Sequence, residues 1–140
     1  MFTGTYEHTI DSKNRVCIPA KYREQFLGKC FLTLGLDGCL YLYEDKEFEN
    51  FLNDIRKLPT TKEGRTMKRY FLSNAVELEI DKQGRINIPS YLKAYANILK
   101  DVVFIGIGDK VEVWAKEQMD DLEYNMEDIA EKFSNMGIKF

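Results

Sequence analysis

Two aspartate–arginine pairs are the residues of this chain best suited to binding a ligand. Asp11 is followed four positions later by Arg15, and Asp81 is followed four positions later by Arg85. An aspartate at the start of such a segment can accept hydrogen bonds from its own downstream amides, which closes a turn. An arginine held beside a tight turn loses little rotamer freedom when it grips guanine O6 and N7 in the major groove. The spacing therefore predicts two turns that each present one arginine.

A less specific interpretation of the same residues is a pair of hairpin turns with solvated arginines, which is favoured for any single copy. Repetition does not decide between the two, because a duplicated fold repeats its turns as well. The neighbouring Lys13 and Lys82 are suited to phosphate contacts, which set position rather than sequence. A second basic run includes Arg56, Arg65 and Arg69. It indicates a solvated helix face at least as strongly as a phosphate contact.

Enzymatic or metal chemistry has few residues to draw on. His8 is the only histidine, and the three cysteines are Cys17, Cys30 and Cys39. None of the cysteines belongs to a Cys-x-x-Cys pair, the spacing that is typical of zinc sites. The glycine-rich segments lack the full Gly-x-Gly-x-x-Gly pattern of a dinucleotide site. We therefore expect no enzyme activity, no catalytic residue, no cofactor, no metal site and no small-molecule substrate.

The two turns belong to an internal repeat. Residues 10–19 align with residues 80–89 at an offset of 70. Further along, Leu34-Gly35-Leu36 aligns with Ile105-Gly106-Ile107, and residues 40–43 align with residues 111–114, at an offset of 71. We divide the chain into a first half-domain, a helical connector, a second half-domain and a C-terminal amphipathic helix, at residues 5–47, 48–75, 76–119 and 120–140.

Hydrophobic periodicity predicts the elements that would position the turns. Residues 76–80 alternate strictly between apolar and charged positions, and residues 85–88 resume the alternation with Arg85 on the outer face. A second hairpin follows in each copy, turned by Asp37-Gly38 and by Gly108-Asp109. Apolar residues at helical spacing predict helices after Pro89, in the connector, and along a stripe from Met119 to Phe133.

Each copy is about 45 residues long, close to the limit at which a core needs staples or a partner. Two interlocked halves that share one core would remove this difficulty. Isolated small hairpins are at best marginally stable, which disfavours two independent units. We therefore expect a mainly β fold with flanking helices, of the α+β class, built as an intertwined barrel with both turns at its surface.

The charge of the chain is unevenly distributed. Its 140 residues carry 20 Lys+Arg and 23 Asp+Glu, for a formal net charge of −3, which by itself gives no indication of nucleic acid. Residues 1–30 carry five basic and three acidic side chains, a net +2. Residues 116–140 carry three basic and seven acidic side chains, a net −4. The acidic residues are therefore concentrated in the last helical segment, away from the first turn.

The location of the protein is predicted by what the sequence lacks. The three cysteines match no disulfide framework, and the N-terminus has neither the basic start nor the apolar core of a signal peptide. The longest apolar stretch is far shorter than the ~20 residues that a membrane helix needs. We expect a cytoplasmic protein without membrane contact.

The doubled motif resembles the MraZ family, which belongs to the AbrB/SpoVT-type DNA-binding proteins. The resemblance is carried by Gly-Thr-Tyr-Glu-His-Thr-Ile-Asp-Ser-Lys-Asn-Arg with Ile-Pro-Ala following, and by Asp-Lys-Gln-Gly-Arg with Ile-Pro following. It covers nearly the whole chain. It implies a swapped-hairpin (double-split) AbrB-like β-barrel formed by the two internal repeats, and a ring-like homo-oligomer.

The same resemblance implies a bacterial, nucleoid-associated transcriptional regulator. It would bind short direct repeats in double-stranded promoter DNA upstream of cell-division and cell-wall genes, including its own operon. The implied DNA-binding residues are Lys13, Asn14, Arg15, Lys82, Gly84 and Arg85. Asn14 stands where the family pattern has glycine, and asparagine tolerates the left-handed backbone region, so the turn should form. Lys82-Gln83 stands where the family pattern has x-Lys, so the contact of Lys82 could differ from that of Lys13.

The alternative hypothesis is a protein-interaction module. It would resemble an antitoxin and act through the C-terminal amphipathic helix, whose apolar stripe is flanked by acidic residues. A stoichiometric protein partner and the absence of DNA binding would favour this alternative.

Overall fold

The structure, a computed structural model, describes residues 1–122 and 125–139. Within them lie eight strands and six helices. The strands are β1 (Phe2–Thr9), β2 (Arg15–Cys17), β3 (Lys29–Leu34), β4 (Leu40–Tyr43), β5 (Val76–Glu79), β6 (Arg85–Asn87), β7 (Asp101–Gly108) and β8 (Val111–Ala115). The helices are α1 (Ala20–Arg23), α2 (Asp45–Arg56), α3 (Lys62–Leu72), α4 (Ser90–Tyr95), α5 (Lys116–Met119) and α6 (Met126–Asn135).

Backbone pairing interlocks the two copies of the repeat. Six strands form one antiparallel sheet in the order β1-β7-β8-β4-β3-β5, and β2 pairs with β6 in a separate two-stranded ribbon. Four of these pairs, β1–β7, β2–β6, β3–β5 and β4–β8, join a strand of the first copy to a strand of the second. The mainly β architecture with flanking helices and two repeats is therefore as expected.

The expectation of a closed barrel is wrong. The large sheet is open, because β1 and β5 lie at its two ends and do not pair with each other. The strands that follow the two turns, β2 and β6, are only three residues long and pair with each other. They therefore form a ribbon and do not close the large sheet.

Strand register also corrects the alignment of the second hairpins. Leu34 pairs with Leu40, and Gly106 pairs with Val111. Leu40 and Val111 are equivalent positions of the symmetric β4–β8 pair, so Leu34 corresponds to Gly106 and not to Ile105. The β7 segment is apolar at several consecutive positions, so its sequence does not show which side chains face the core.

The core lies on both faces of the large sheet. On one face, buried residues of β3, β4, β7 and β8 pack with the ribbon and with α1 and α4, and include Leu32, Phe104, Val16, Ile86 and Leu92. On the other face, α2 covers an aromatic cluster that contains Tyr43 and Trp114. The rings of Phe31 and Phe48 stack there with their centroids 4.2 Å apart. The ribbon is therefore fixed to a core that both copies build.

The connector forms the two helices that its periodicity predicts. The side chain of Glu44 caps α2, and the side chain of Thr61 caps α3. Gly64, which weakens the sequence pattern, lies in the first turn of α3 against the carbonyl oxygen of Pro59. A Cβ atom at Gly64 would lie 1.9 Å from that oxygen, so only glycine fits this close approach.

The single long C-terminal helix is a wrong prediction. Helix α5 ends at Met119 and α6 begins at Met126, so the apolar stripe is divided between two helices. The side chain of Asn125 accepts hydrogen bonds from the amides of Glu127 and Asp128, which starts a new helix there. No residue of α6 is buried. Across the described residues, no helix combines the length and the apolar character that crossing a bilayer requires.

Candidate nucleic-acid interface

The two aspartate–arginine segments form the same turn. Asp11 Oδ1 accepts hydrogen bonds from the amides of Lys13 and Arg15, each at 2.9 Å. Asp81 Oδ1 accepts from the amides of Gln83 and Arg85, also at 2.9 Å. In both turns the aspartate amide donates to the arginine carbonyl oxygen at 2.9 Å. The sequence prediction of two turns closed by aspartate side chains is confirmed.

Each aspartate also holds its arginine side chain. Arg15 Nε donates to Asp11 Oδ2 at 2.8 Å, and Arg85 Nε donates to Asp81 Oδ2 at 2.9 Å. The backbone N–H of the arginine is the main cause that lowers the pKa of each aspartate, and the arginine side chain lowers the pKa further. Both carboxylates are therefore ionised at neutral pH. This contribution to the turns is lost only in acid, as the pH falls through the lowered pKa.

A residue with a positive φ angle stands at the fourth position of each turn. Asn14 has φ 63° and Gly84 has φ 78°. Asparagine is among the few residues that adopt this backbone region readily, so the departure from glycine in the first turn leaves its shape unchanged. Both residues give the backbone its left-handed conformation at this position, and Gly84 is buried.

Each turn is anchored to the other copy of the repeat. The carbonyl oxygen of Asn14 accepts a hydrogen bond from the amide of Ile88 at 2.8 Å, and that of Gly84 accepts from the amide of Ile18 at 2.9 Å. Ile18 and Ile88 are fully buried. The position of each arginine turn therefore depends on the strand end of the opposite copy.

The ribbon brings the two arginines onto one surface. Arg15 lies opposite Asn87 and Cys17 lies opposite Arg85, whereas the Val16–Ile86 pair between them is buried. Side chains alternate between the faces of a strand, so these four residues share the outer face of the ribbon. Arg15 and Arg85 are diagonal neighbours on it, a spacing of about 7–8 Å in antiparallel pairs. We call this surface the ribbon face.

Most donors of the two guanidinium groups remain open to a ligand. The side chain of Arg15 is 34% exposed and that of Arg85 is 27% exposed. A guanidinium carries five N–H donors, and only Nε of each arginine is bonded within the described residues. Lys13 and Lys82 are exposed beside the ribbon face. The surface can thus offer two oriented forks of donors and two flanking ammonium groups.

Two further basic residues, Arg23 and Lys93, lie against the turns, and sequence reasoning missed both. Arg23 follows the first motif in α1, and Lys93 follows the second in α4, at the same offset of 70 residues that relates the motifs. Arg23 lies over Gly84, and Lys93 Nζ donates to Asn14 Oδ1 at 3.0 Å. The offset is a signal that could have indicated an equivalent role.

The residues considered for metal or acid–base chemistry are placed elsewhere. His8 is half-buried, and its ring contacts Phe104 edge to face with centroids 5.9 Å apart. Partial burial lowers the pKa of His8, and the positive charge of Arg23 lowers it further, so the imidazole is neutral at pH 7. Among the described residues, no three of the types His, Cys, Asp and Glu are grouped so that they could hold a metal ion.

The three cysteines should differ in reactivity. Burial raises the pKa of the Cys30 thiol to about 12. Burial, with some contribution from the charge of Glu112, also raises the pKa of the Cys39 thiol to about 12. Cys17, in contrast, lies partly exposed on the ribbon face. Because the thiolate is the reactive form, we expect one thiol per native chain to react with iodoacetamide at pH 8, and three in denaturant. Intact-mass measurement counts the adducts.

The Cys17→Ser variant is the matched control for this labelling experiment. It should take up no label in the native state and two labels in denaturant. Rapid native labelling at Cys30 or Cys39 would contradict the burial of these thiols.

Comparisons with known proteins agree with the doubled architecture. A family model described as "MraZ protein, putative antitoxin-like" matches the chain twice, over residues 1–70 and 71–137. A protein of Lachnoclostridium phytofermentans named "Transcriptional regulator MraZ" is 44% identical over all of both chains. Proteins of the same name from Caldanaerobacter subterraneus and from Thermoanaerobacter sp. strain X514 are 49% and 48% identical over 99% of this chain and all of theirs.

The two matches divide the chain between the arginine turns, so each repeat of the family contributes one turn and one strand of the ribbon. With both repeats matched and the full length covered by relatives, the chain belongs to the MraZ family.

Proposed function

We propose that the protein is a transcriptional regulator that binds double-stranded DNA in a sequence-specific manner through the ribbon face. The observation that carries this proposal is the placement of Arg15 and Arg85 side by side on one two-stranded ribbon, each oriented by an ionised aspartate. The names of the relatives support the regulatory role, since those quoted above are called transcriptional regulators.

The shape of the surface supports insertion into the major groove. That groove admits a two-stranded β-ribbon, and an arginine can bond guanine O6 and N7 with two parallel donors. A guanidinium whose Nε is already bonded to aspartate has its plane and direction set before DNA arrives, so less rotamer freedom is lost on binding. Lys13 and Lys82 belong to the same two turns and are exposed, which supports a role for them in phosphate contacts.

The charge distribution supports multivalent binding by a ring-like homo-oligomer to short direct repeats. One ribbon face offers few cations, and the chain as a whole carries a net charge of −3. Binding of linked sites raises the overall affinity without new contacts, so several subunits on several repeats would compensate for a weak single contact. We further propose that the repeats lie upstream of cell-division and cell-wall genes, including the protein's own operon, and that the protein is cytoplasmic and nucleoid-associated. The swapped-hairpin relation of the two halves is likewise part of the proposal.

Binding to DNA from upstream of the protein's own gene tests the function. Footprinting locates the bound boxes, and fluorescence anisotropy then compares fragments with one, two and four boxes. We expect the fragment with four boxes to bind about 10²-fold or more tightly than the single box. Affinity should also fall linearly on a log–log plot against salt concentration, because phosphate contacts release counterions.

Shuffled boxes at the original spacing are the control for this experiment. Equal affinity for shuffled and native boxes would contradict sequence-specific binding. Recovery of a stoichiometric protein partner together with no retention of DNA would instead favour the interaction module.

A further inference from the structure

We propose that Arg23 and Lys93 are positioning residues for the arginine turns, and that each is matched to the fourth residue of the turn it holds. Arg23 is matched to Gly84, and Lys93 is matched to Asn14. The inference rests on the proposed function for its DNA readout, but the contacts that carry it are internal to the chain.

The two residues occupy equivalent places in the repeat and act across it. Arg23 belongs to the first copy and reaches the turn of the second copy, whereas Lys93 belongs to the second copy and reaches the turn of the first. Each comes from the short helix that follows its own motif, α1 for Arg23 and α4 for Lys93. Both are half-buried.

Arg23 holds the second turn by covering a glycine. A Cβ atom at Gly84 would lie 2.5 Å from Arg23 Nε and 2.7 Å from Arg23 Cζ, so the guanidinium occupies the space that a side chain would fill. Arg23 Nε also donates to the carbonyl oxygen of Ile18 at 2.8 Å, and the amide of Ile18 donates to Gly84 at 2.9 Å. A side chain at Gly84 would therefore displace Arg23 from its bond to Ile18.

Lys93 holds the first turn by a different contact. Its Nζ atom donates to Asn14 Oδ1 at 3.0 Å, and Asn14 Nδ2 donates to the hydroxyl of Ser90 at 3.3 Å. The amide of Ile88 donates to the carbonyl oxygen of Asn14, as the amide of Ile18 does to Gly84. In the first turn, therefore, the side chain of Asn14 is bonded to Lys93. In the second turn Gly84 has no side chain, and Arg23 occupies the space instead.

The turns themselves have the same geometry. The arginine amides lie 2.9 Å from the aspartate oxygens in both, and the Nε–Oδ2 distances are 2.8 and 2.9 Å. Two different residue pairs therefore hold turns of the same geometry in this fold: Arg23 packed over Gly84, and Lys93 bonded to Asn14. A mixed pair should hold the turn less well, because arginine leaves no room for a side chain and lysine over glycine has no amide to bond.

Exchanging the two residue pairs tests whether each basic residue is matched to the fourth residue of its turn. Gly84→Asn alone should weaken DNA binding about tenfold through the collision with Arg23. Adding Arg23→Lys should restore most of the affinity, because the pair then reproduces the lysine–asparagine bond of the first copy. The bond from Asn14 to Ser90 has no counterpart there, since Ala20 stands at the equivalent position. Asparagine is compatible with the positive φ angle of this position, as Asn14 shows. In the mirror exchange, Lys93→Arg with Asn14→Gly should bind more tightly than Lys93→Arg alone.

A second readout needs no DNA. The amide of Ile18 donates to Gly84, so its hydrogen exchange, measured by NMR, should accelerate in Gly84→Asn and slow again in the double variant. Arg56→Lys in α2, an exposed arginine with no contact to either turn, is the matched control and should change neither readout.

The outcomes separate the matching from the proposed function. If Arg23→Lys retains full affinity and fails to rescue Gly84→Asn in both readouts, the positioning role is overturned, and Arg23 is at most a phosphate contact. If the wild-type protein does not bind DNA, the proposed function fails, and the exchange of Ile18 still decides whether the pairs are matched. Rescue in both readouts supports both proposals.

Discussion

Replacing Arg15 and Arg85 together by alanine is expected to remove the preference for native boxes over shuffled ones while the protein stays folded. A good bidentate arginine–guanine contact is worth about 1–3 kcal/mol, and each 1.4 kcal/mol is a factor of ten in affinity. If both arginines read a guanine, the double variant should lose about 30-fold to 10⁴-fold in affinity for a single native box, with each single variant between it and the wild type. Fluorescence anisotropy on single-box and shuffled fragments measures both quantities.

The fold should tolerate this double substitution. The Arg15–Asp11 and Arg85–Asp81 ion pairs are partly exposed, and such pairs contribute about 0–1 kcal/mol to stability. The backbone amides of residues 15 and 85 still donate to the aspartates after the side chains are shortened, so both turns remain closed. A thermal midpoint close to that of the wild type would therefore attribute the loss of affinity to the missing guanidinium groups.

Two controls separate base recognition from general electrostatics. Lys13→Ala with Lys82→Ala removes two flanking charges and should weaken binding to native and shuffled boxes alike. It should also reduce the slope of log affinity against log salt concentration by about one per lost phosphate contact. Arg56→Ala removes an exposed arginine on α2 that is bonded to Glu49 and Asn53, and it should leave binding unchanged. Unchanged affinity and sequence preference in the Arg15→Ala, Arg85→Ala protein would sink the proposed readout.

The sequence predicted the parts of the site that depend on local chemistry. Asp11 and Asp81 close their turns by bonding their own downstream amides, and such bonds span only a few residues. The outward-facing position of the arginines likewise follows from the alternation in the following strand, whose Val16 and Ile86 face the core. The geometry of such elements is determined by residues close together in the sequence, so the turns and the helices α2 and α3 could be predicted.

The remaining parts of the site depend on which segments meet in space, and no local pattern contains this. Alternation indicates which face of β2 is buried but not that its partner is β6, so the side-by-side arginines could not be foreseen. Arg23 and Lys93 each act on the opposite copy, and in the sequence they look like ordinary helix lysines and arginines. The division of the C-terminal stripe between α5 and α6 was missed because apolar spacing continued past the capping residue Asn125.

Cross-copy pairing has a consequence for how the ribbon face is maintained. The amide of Ile88 donates a hydrogen bond to the carbonyl oxygen of Asn14, and the amide of Ile18 donates one to that of Gly84. Each turn therefore needs a hydrogen-bond donor from the other copy. The acidic residues of α6 lie in a segment that buries none of its own side chains, whereas the two arginines lie on the shared core. Recognition and global stability should therefore be coupled, and damage to the core of either copy should affect both turns.

A buried substitution in the first copy is accordingly expected to destabilise the second copy by the same amount. Leu32 is fully buried in β3 and pairs with Leu42 of its own copy and with Val76 of the other. Leu32→Ala should lower the free energy of unfolding by about 2–5 kcal/mol through lost burial and a cavity. Trp114, the only tryptophan, lies in the second copy and in the other core cluster, so its fluorescence reports on unfolding at a distance from the substitution.

Urea unfolding followed by Trp114 fluorescence and by far-UV circular dichroism measures this coupling. Both probes should give one transition, shifted together to lower urea with an unchanged slope, because the strands of the two copies pair with one another in the same sheet. Leu27→Ala, which shortens a leucine of the first copy that is 87% exposed, is the matched control and should stay within about 0.5 kcal/mol of the wild type. A Trp114 transition that stays in place while the circular dichroism transition moves would mean that the halves unfold separately. In that case the shared core would not couple the stability of one arginine turn to that of the other.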